Sequence, residues 1–419
     1  MLGRLRARGY GLAADPADAD VIVVNTCAFI EGAKKESIDA ILEMARYKET
    51  GRARRLVVTG CLAQRYDAEL RREIPEIDAT LGTGQIDEVV RAVAGEDTAA
   101  AREELPTWIY GSESPRVLST PPWLAYLKIG EGCDYTCSFC VIPQLRGRHR
   151  SRAAEDILRE AEALAARGVK ELVLVSQDST RWGWDLGIRG GLGSLLRRLG
   201  GVPGLRWIRV MYAYPATVTD ETLDAIAEVP QVVKYIDIPL QHASEPVLKR
   251  MKRPTGRGNL LGLVERMRER VPGLTLRTSF IVGFPGETDA DFERLVGFVE
   301  AARFDRVGVF KYSDEESTAA FELEGKLPAA VKERRRRRLM SVQRRIALQR
   351  NRELVGRRVE VLVEGVHAET ELLLQGRLPG QAPEIDGSVL IADGAAAPGE
   401  LVTCEVTEAH AYDLVARIA

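Results

Sequence analysis

Three cysteines stand at CxxxCxxC spacing, Cys133, Cys137 and Cys140, directly after an apolar, strand-like run from Trp123 to Ile129. Three thiolates in so short a loop can converge on one centre. A cubane four-iron four-sulfur cluster has four iron corners, so three cysteine ligands leave one iron open to chelate a small molecule. The alternatives are a zinc knuckle or a disulfide. Zinc sites usually supply a fourth Cys or His at short range, and here the nearest downstream histidine is His149. Two further cysteines, Cys27 and Cys61, each end an apolar run, from Val21 and from Leu56. In open parallel sheets ligands collect at the carboxyl ends of strands, which is where this pair falls. Two ordinary buried thiols are the plainer alternative for it.

The runs ending at Cys27 and Cys61 read as buried parallel strands, followed by helical segments over roughly Ile30 to Tyr47 and Ala63 to Glu73. This strand-helix alternation continues to about Gly95. Residues 96 to 121, rich in acidic residues, Ala, Ser and Pro, read as a linker. A second alternation has strands at Trp123 to Ile129, Glu171 to Val175, Trp207 to Tyr212, Val232 to Ile238, Leu276 to Val282 and Arg306 to Phe310. Six such units predict a full or partial barrel with its chemistry on the loops after the strands. Those loops carry Ser176-Gln177-Asp178, Tyr214-Pro215, Gln241-His242, Gly283-Phe284-Pro285-Gly286-Glu287 and Tyr312 to Glu316. Pro328 to Arg352 reads as a helix. Its five consecutive arginines, Arg334 to Arg338, suit a solvated or domain-spanning face better than a phosphate site. From Val359 short runs at Val359 to Val363, Ser388 to Ile391 and Glu400 to Val406 predict a small antiparallel β-barrel.

At 419 residues the chain is long enough for two or three domains. Its 45% apolar and 29% charged content is that of a globular protein, and no apolar run approaches a membrane span. The first residues, Met1 to Arg6, lack the apolar core of a secretory signal. Six cysteines, three of them packed into eight residues, fit metal ligation in a reducing compartment, so a cytoplasmic location is expected.

The cysteine loop, with Phe139 before its last cysteine, resembles that of radical S-adenosylmethionine (SAM) enzymes. Together with Asn25-Thr26-Cys27, Gly60-Cys61, Ile281 to Glu287 and the terminal barrel it resembles the methylthiotransferases over nearly the whole chain. CDYTCSFCVIPQLRGRHRSR from Cys133, Asp237 to Ser244, Tyr312 to Glu316 and Ala382 to Gly387 are similar to the RimO branch. The resemblance implies a flavodoxin-like α/β domain over 1–98 holding an auxiliary cluster, a radical-SAM partial (β/α) barrel over 119–352 and a TRAM domain over 353–419. It implies two 4Fe-4S clusters, one on Cys133, Cys137 and Cys140 and one using Cys27 and Cys61. SAM then serves as radical source and methyl donor. The substrate implied is the β-carbon of an aspartate in small-subunit ribosomal protein twelve, free or in the subunit, with a reductant protein as further partner. Phe139 is expected beside the adenine, Gln177 and Asp178 at the ribose or methionyl part, and Gly283 near the adenine. Many radical-SAM proteins carry GxIxG where this chain has Ser279-Phe280-Ile281-Val282-Gly283. Arg146, Arg148, Arg150 and Arg152 are candidates for the SAM carboxylate or the substrate, and His242 for either a structural or a participating role.

Family members also carry an N-terminal strand ending in Gly-Cys that supplies a third auxiliary thiolate. This sequence opens inside the helix that follows it, so that cluster is expected to be incomplete. Two other functions stay open, a MiaB-like tRNA adenosine methylthiotransferase and a non-catalytic iron-sulfur carrier. Charge favours the protein substrate. Residues 356 to 419 hold eleven acids against four bases, a net of -7 that leaves +5 for the remainder. Such a barrel repels phosphate and attracts a basic ribosomal protein.

Overall fold

The computed structural model describes residues 1–98, 105–253 and 259–419. Of the expected linker over 96–121, residues 99–104 lie outside the described residues. The chain divides into two compact units. The first comprises Met1–Ser119, Glu131–Arg150 and Ser313–Glu322, and the second Thr120–Gly130, Ser151–Tyr312 and Leu323–Ala419.

In the first unit α1 (Leu2–Ala7), β1 (Val21–Thr26), α2 (Glu31–Ala45), α3 (Tyr47–Thr50), β2 (Arg55–Gly60), α4 (Cys61–Glu73), β3 (Ala79–Leu81) and α5 (Val89–Ala94) follow one another. The strands form a parallel sheet in the order β1-β2-β3. Successive side chains of β2 point to opposite faces and so feed two cores. Leu56 and Val58 pack with Ile22, Ile41, Leu62 and Leu70, whereas Val57 packs with Leu5, Ala79, Leu81 and Val89. Burial on both faces is why β2 reads as an unbroken apolar run. The short helix α6 (Ile142–Arg146), just beyond the cysteine loop, joins the first of these cores through Val141 and Leu145.

The second unit begins with β4 (Leu124–Lys128), and a ribbon of β5 (Gly130–Glu131) and β6 (Arg150–Ser151) brackets the cysteine loop. Beyond α7 (Ala154–Ala166) come β7 (Glu171–Val175), α8 (Gly191–Gly200), β8 (Trp207–Val210), α9 (Asp220–Glu228), β9 (Val232–Asp237), α10 (Glu245–Arg250) and α11 (Leu260–Arg270). Next are β10 (Thr275–Val282), α12 (Asp289–Ala302) and β11 (Arg306–Lys311). The six long strands are parallel, in the order β11-β10-β9-β8-β7-β4, and each lies within two residues of its expected span. Neighbours in sequence being neighbours in space is the signature of repeated crossover units, here an open partial barrel.

The 24-residue helix α13 (Ala329–Arg352) leads to β12 (Arg358–His367), β13 (Thr370–Arg377), β14 (Val389–Asp393), β15 (Leu401–Ala409) and β16 (Leu414–Ile418). These close into a barrel in the order β12-β13-β14-β16-β15. The expectation of an antiparallel barrel is corrected at one seam, because β14 and β16 pair in parallel. A closed ring with an odd number of strands cannot alternate direction throughout. Leu362 and Ala382 of this region are buried in one cluster with Leu124, Val173, Trp207 and Tyr235 of the sheet. There Glu171, wholly buried, accepts from Arg209 Nε at 2.8 Å and from Arg377 Nη2 at 2.7 Å. Among the described residues no helix is long and apolar enough to cross a membrane.

Candidate functional site

The cysteine loop is closed at its base by backbone contacts. Gly132 has φ +83°, and a Cβ there would lie 2.1 Å from the Arg148 carbonyl oxygen, so only glycine fits. The Cys133 N–H donates to the Gly147 carbonyl at 3.0 Å and the His149 N–H to Asp134 Oδ1 at 3.0 Å. A turn in which the Cys140 N–H donates to the Cys137 carbonyl at 3.1 Å brings the last two cysteines onto successive corners. All three thiols are half-buried, as is Phe139. The Ser138 carbonyl accepts from the Ala320 N–H at 2.7 Å, which ties the loop to Ser313–Glu322 within the same unit.

Cys27 and Cys61 leave paired strand ends. Thr26 is the register partner of Gly60, so the two cysteines emerge beside each other at the carboxyl edge of β1 and β2. The Ser37 hydroxyl fixes Cys27 by accepting from its N–H and donating to its carbonyl, both at 3.0 Å. Cys27 is exposed, and Cys61, first residue of α4, is buried. Arg146 donates from Nη2 to Cys61 Sγ at 3.5 Å, and its Nη1 lies 3.5 Å from Glu131 Oε1. Burial pulls the Arg146 pKa down, but the charges of Cys61, Glu131 and Cys27 outweigh it and the balance is upward. Cys404 is fully buried in the terminal barrel, where burial pushes its thiol up to about 11. It is therefore a core residue.

The four arginines after the loop take different partners. Arg146 faces Cys61. Arg148 is exposed, 3.8 Å from the Asp134 carboxylate, and Arg150 donates to the carbonyls of Arg146 and Arg148. Arg152 is buried against Asp156 and Glu160 at 2.5 and 2.7 Å. Gln177 is half-buried at the end of β7. The Asp178 carboxylate accepts from the Thr180 N–H and hydroxyl at 3.0 and 2.6 Å and from the Thr217 hydroxyl at 3.2 Å. It thus caps the turn that follows. Gly283 has φ +76°, and its Cβ position would meet Lys332 Cγ at 2.4 Å.

Glu287 entered the sequence reading only as part of its loop, without a role of its own. It is buried, and its Oε2 accepts from the N–H groups of Gly283 and Phe284, shaping the loop after β10. Its Oε1 faces Arg335 Nη1 at 3.1 Å and His242 Nε2 at 3.8 Å. His242 Nδ1 accepts from the Ser244 N–H at 2.9 Å, so the ring proton sits on Nε2, towards Glu287. The arginine run divides likewise. Arg335 is buried against Glu287 and Asp289, Arg336 and Arg337 pair with Glu333, and Arg338 pairs with Glu293. Only the Glu333 pairs, three and four residues apart, have a local sequence signal, because Glu287, Asp289 and Glu293 lie at least 45 residues from their arginines.

Among the described residues no three His, Cys, Asp or Glu side chains are placed to hold a single metal ion. A cubane places each thiolate on a separate iron, and three half-buried thiols on a backbone-locked loop suit that donor pattern.

The radical SAM superfamily matches residues 127–299, the uncharacterized protein family UPF0004 residues 1–82, and the TRAM domain residues 355–419. Among solved structures, the radical SAM methyltransferase TsrM from Kitasatospora setae, bound to tryptophan and a SAM analogue, aligns with TM-score 0.53 at 20% identity. The alignment covers 70% of this chain and 62% of that one, so the chain spans under two thirds of it and the likeness concerns the fold. Fold and cysteine loop together define a radical SAM enzyme that carries a TRAM domain and uses an iron-sulfur cluster and SAM. Over 100% of its length the chain is 54% identical to the protein named ribosomal protein uS12 methylthiotransferase RimO from Anaeromyxobacter sp. (strain K), covering 89% of that relative. The proteins of the same name from Myxococcus xanthus and Solibacter usitatus are 54% and 51% identical, with 88% and 90% of their lengths covered. The chain belongs to the RimO family of methylthiotransferases.

Proposed function

We propose that this chain methylthiolates the β-carbon of an aspartate in ribosomal protein uS12, using SAM as radical source and methyl donor. The observation that carries this reading is that Cys27, Cys61, Cys133, Cys137 and Cys140 belong to one compact unit, with Arg146, on the helix just after Cys140, donating to Cys61. In this reading Cys133, Cys137 and Cys140 hold one 4Fe-4S cluster, and Cys27 and Cys61 contribute to a second. When bound, the first supplies the electron that cleaves SAM, the route to a C–H bond with no acidic proton for a base to take.

The protein's own residues bind and orient. In this reading Phe139, Gln177, Asp178 and Gly283 are assigned to SAM, Asp178 also caps the turn that follows it, and Glu287 fixes the backbone at Gly283. The terminal barrel, with its excess of acids, receives the basic ribosomal protein. Pairing of the arginine run with Glu287, Asp289, Glu293 and Glu333 weakens its appeal to tRNA phosphates. We divide the chain functionally into 1–98, 119–352 and 353–419, place it in the cytoplasm, and assign it a separate reductant protein. Mass spectrometry of uS12 and of its small subunit after anaerobic incubation with enzyme, SAM and reductant tests this. The expected result is an aspartate carrying one methylthio group. Modification of tRNA with uS12 untouched would overturn it.

A further inference from the structure

We infer that Tyr212 contacts the target segment of uS12 and that Asp237 is the positioning residue that holds it there. The inference rests on the reading above, in which a stretch of polypeptide is the substrate. Tyr212 stands two residues beyond β8, at the carboxyl edge of the six-stranded parallel sheet, where such folds collect their ligands. Its φ is +60°, a conformation in which a bulky side chain is an outlier. A turn that needed only this backbone would take Gly or Asn at no such cost. Strain of this kind persists only where surrounding contacts impose it, and it gathers at functional sites.

The contacts come from the strands on both sides. The Tyr212 N–H donates to Asp237 Oδ2 at 3.3 Å, the Tyr212 carbonyl accepts from the Ser179 N–H at 3.0 Å, and the Ala213 N–H donates to the Asp237 carbonyl at 2.8 Å. Asp237, wholly buried at the end of β9, accepts on Oδ1 from Arg277 Nη1 at 2.8 Å. Arg277 Nε in turn lies 3.6 Å from Asp386 Oδ1, and Asp386 Oδ2 accepts from the Tyr235 hydroxyl at 2.8 Å and the Ala382 N–H at 2.9 Å. A buried network therefore fixes one strained backbone position, yet the side chain it fixes is 45% exposed. Among the described residues no group hydrogen-bonds its hydroxyl. Partial burial and the charge of Asp237 hold the phenol above its ordinary pKa, so it is a neutral donor at neutral pH. Phe310, 54% exposed, lies level with Ile281 near the same carboxyl edge, on the sheet face that carries Arg277. Exposed rings with one uncommitted donor suit an extended polypeptide, whose carbonyls accept and whose side chains pack on aromatics. Phosphate is a poor match, because Arg209, Arg277 and Arg377 around this face are paired with Glu171, Asp237 and Glu364.

The test measures methylthiolated uS12 and 5'-deoxyadenosine in the same samples across a range of uS12 concentrations. The proteins are wild type, Tyr212→Phe, Tyr212→Gly, Asp237→Asn and the double variant Tyr212→Gly with Asp237→Asn, each checked for folding by urea unfolding. Tyr212→Gly accepts the left-handed backbone and deletes only the side chain. The KM for uS12 should rise about tenfold in it, and less in Tyr212→Phe, which keeps the ring and loses the hydrogen bond. The 5'-deoxyadenosine formed per methylthio group should rise in both, because a poorly held substrate lets SAM be cleaved without product. Asp237→Asn should raise KM in wild type and add nothing in the presence of Tyr212→Gly, since it acts through Tyr212. Wild-type KM and wild-type coupling in folded Tyr212→Gly overturn the contact, and an additive double variant overturns the role given to Asp237. If Tyr212→Gly does not fold, Tyr212→Phe decides, and an unchanged KM there overturns the contact. Wild-type enzyme that modifies tRNA and leaves uS12 untouched overturns the substrate reading itself, a failure seen before any variant is compared.

Discussion

Thr26 lies directly opposite Gly60 across the parallel pair β1 and β2, and this register sets Cys27 beside Cys61. Gly60 has φ +101° and ψ -155°, a region essentially reserved for glycine, and a Cβ there would lie 2.5 Å from the Thr26 carbonyl oxygen. The close approach that brings the cysteines together thus depends on the missing side chain.

Gly60→Ala should destabilise the first unit by about 3 kcal/mol through backbone strain. Displacement of β1 from β2 should also lower the iron bound in excess of one cluster. Urea unfolding and iron counts on reconstituted protein check this. Wild-type values for both would show that the register does not depend on Gly60.

Cys133→Ala, Cys137→Ala and Cys140→Ala should each abolish SAM cleavage, because each removes a ligand from the cluster that delivers the electron. The readout is 5'-deoxyadenosine formed under dithionite. Wild-type yield from any one variant would remove that cysteine from the site.

Glu171 offers a prediction in pH. Burial alone would raise its pKa, but Arg209 and Arg377 reverse this and hold the carboxyl below its ordinary value. A group with a depressed folded pKa contributes stability in full above its unfolded pKa, about 4.3, and loses it as pH falls through the folded value. Wild type should therefore lose stability below about pH 4.3. Glu171→Gln leaves the buried Arg209 without its carboxylate and Arg377 with Glu364 alone, should cost about 3–5 kcal/mol at neutral pH, and should flatten that acid decline. Urea midpoints measured from neutral to acid pH decide it, since an equally steep decline in the variant would assign the loss to other carboxylates.

What the sequence disclosed, and what it did not, follows from range. Strands such as Glu171–Val175 were legible because burial on both faces leaves an unbroken apolar run. The cysteines were legible because their spacing is local. β13 and β16 went unread: Leu372 in β13 is 88% exposed, and in β16 burial alternates, with Leu414 and Ala416 inward and Arg417 exposed, so neither shows an unbroken apolar run. The parallel seam is a consequence of closure and has no local trace. Arg146, Asp178 and Glu287 have partners far along the sequence, Cys61, Thr217 and Arg335, so residue type alone did not disclose these contacts.

The terminal barrel supplies the last prediction. Deleting it is a poor test of substrate docking, since Leu362 and Ala382 share a core with the sheet and Arg377 pairs with Glu171. Removing only exposed charge is cleaner. Glu369, at the turn between β12 and β13, and Glu371 in β13 are exposed, with Val366 and Leu372 also exposed on the same hairpin. A basic protein approaching this hairpin gains long-range attraction that fades as salt shortens the Debye length to about 10 Å at 0.1 M. Glu369→Lys with Glu371→Lys should therefore weaken binding of uS12 several-fold at low salt, with the difference from wild type shrinking as salt rises. The loss should fall mainly on the association rate, because steering acts before contact. Melting temperature and substrate-independent SAM cleavage should stay near wild type, since neither side chain belongs to a core or to the cysteine sites. Stopped-flow or surface-based binding across a salt series measures this. Unchanged association at low salt would show that uS12 docks elsewhere, and tighter tRNA binding by the double variant would confirm that the barrel's acidity repels phosphate.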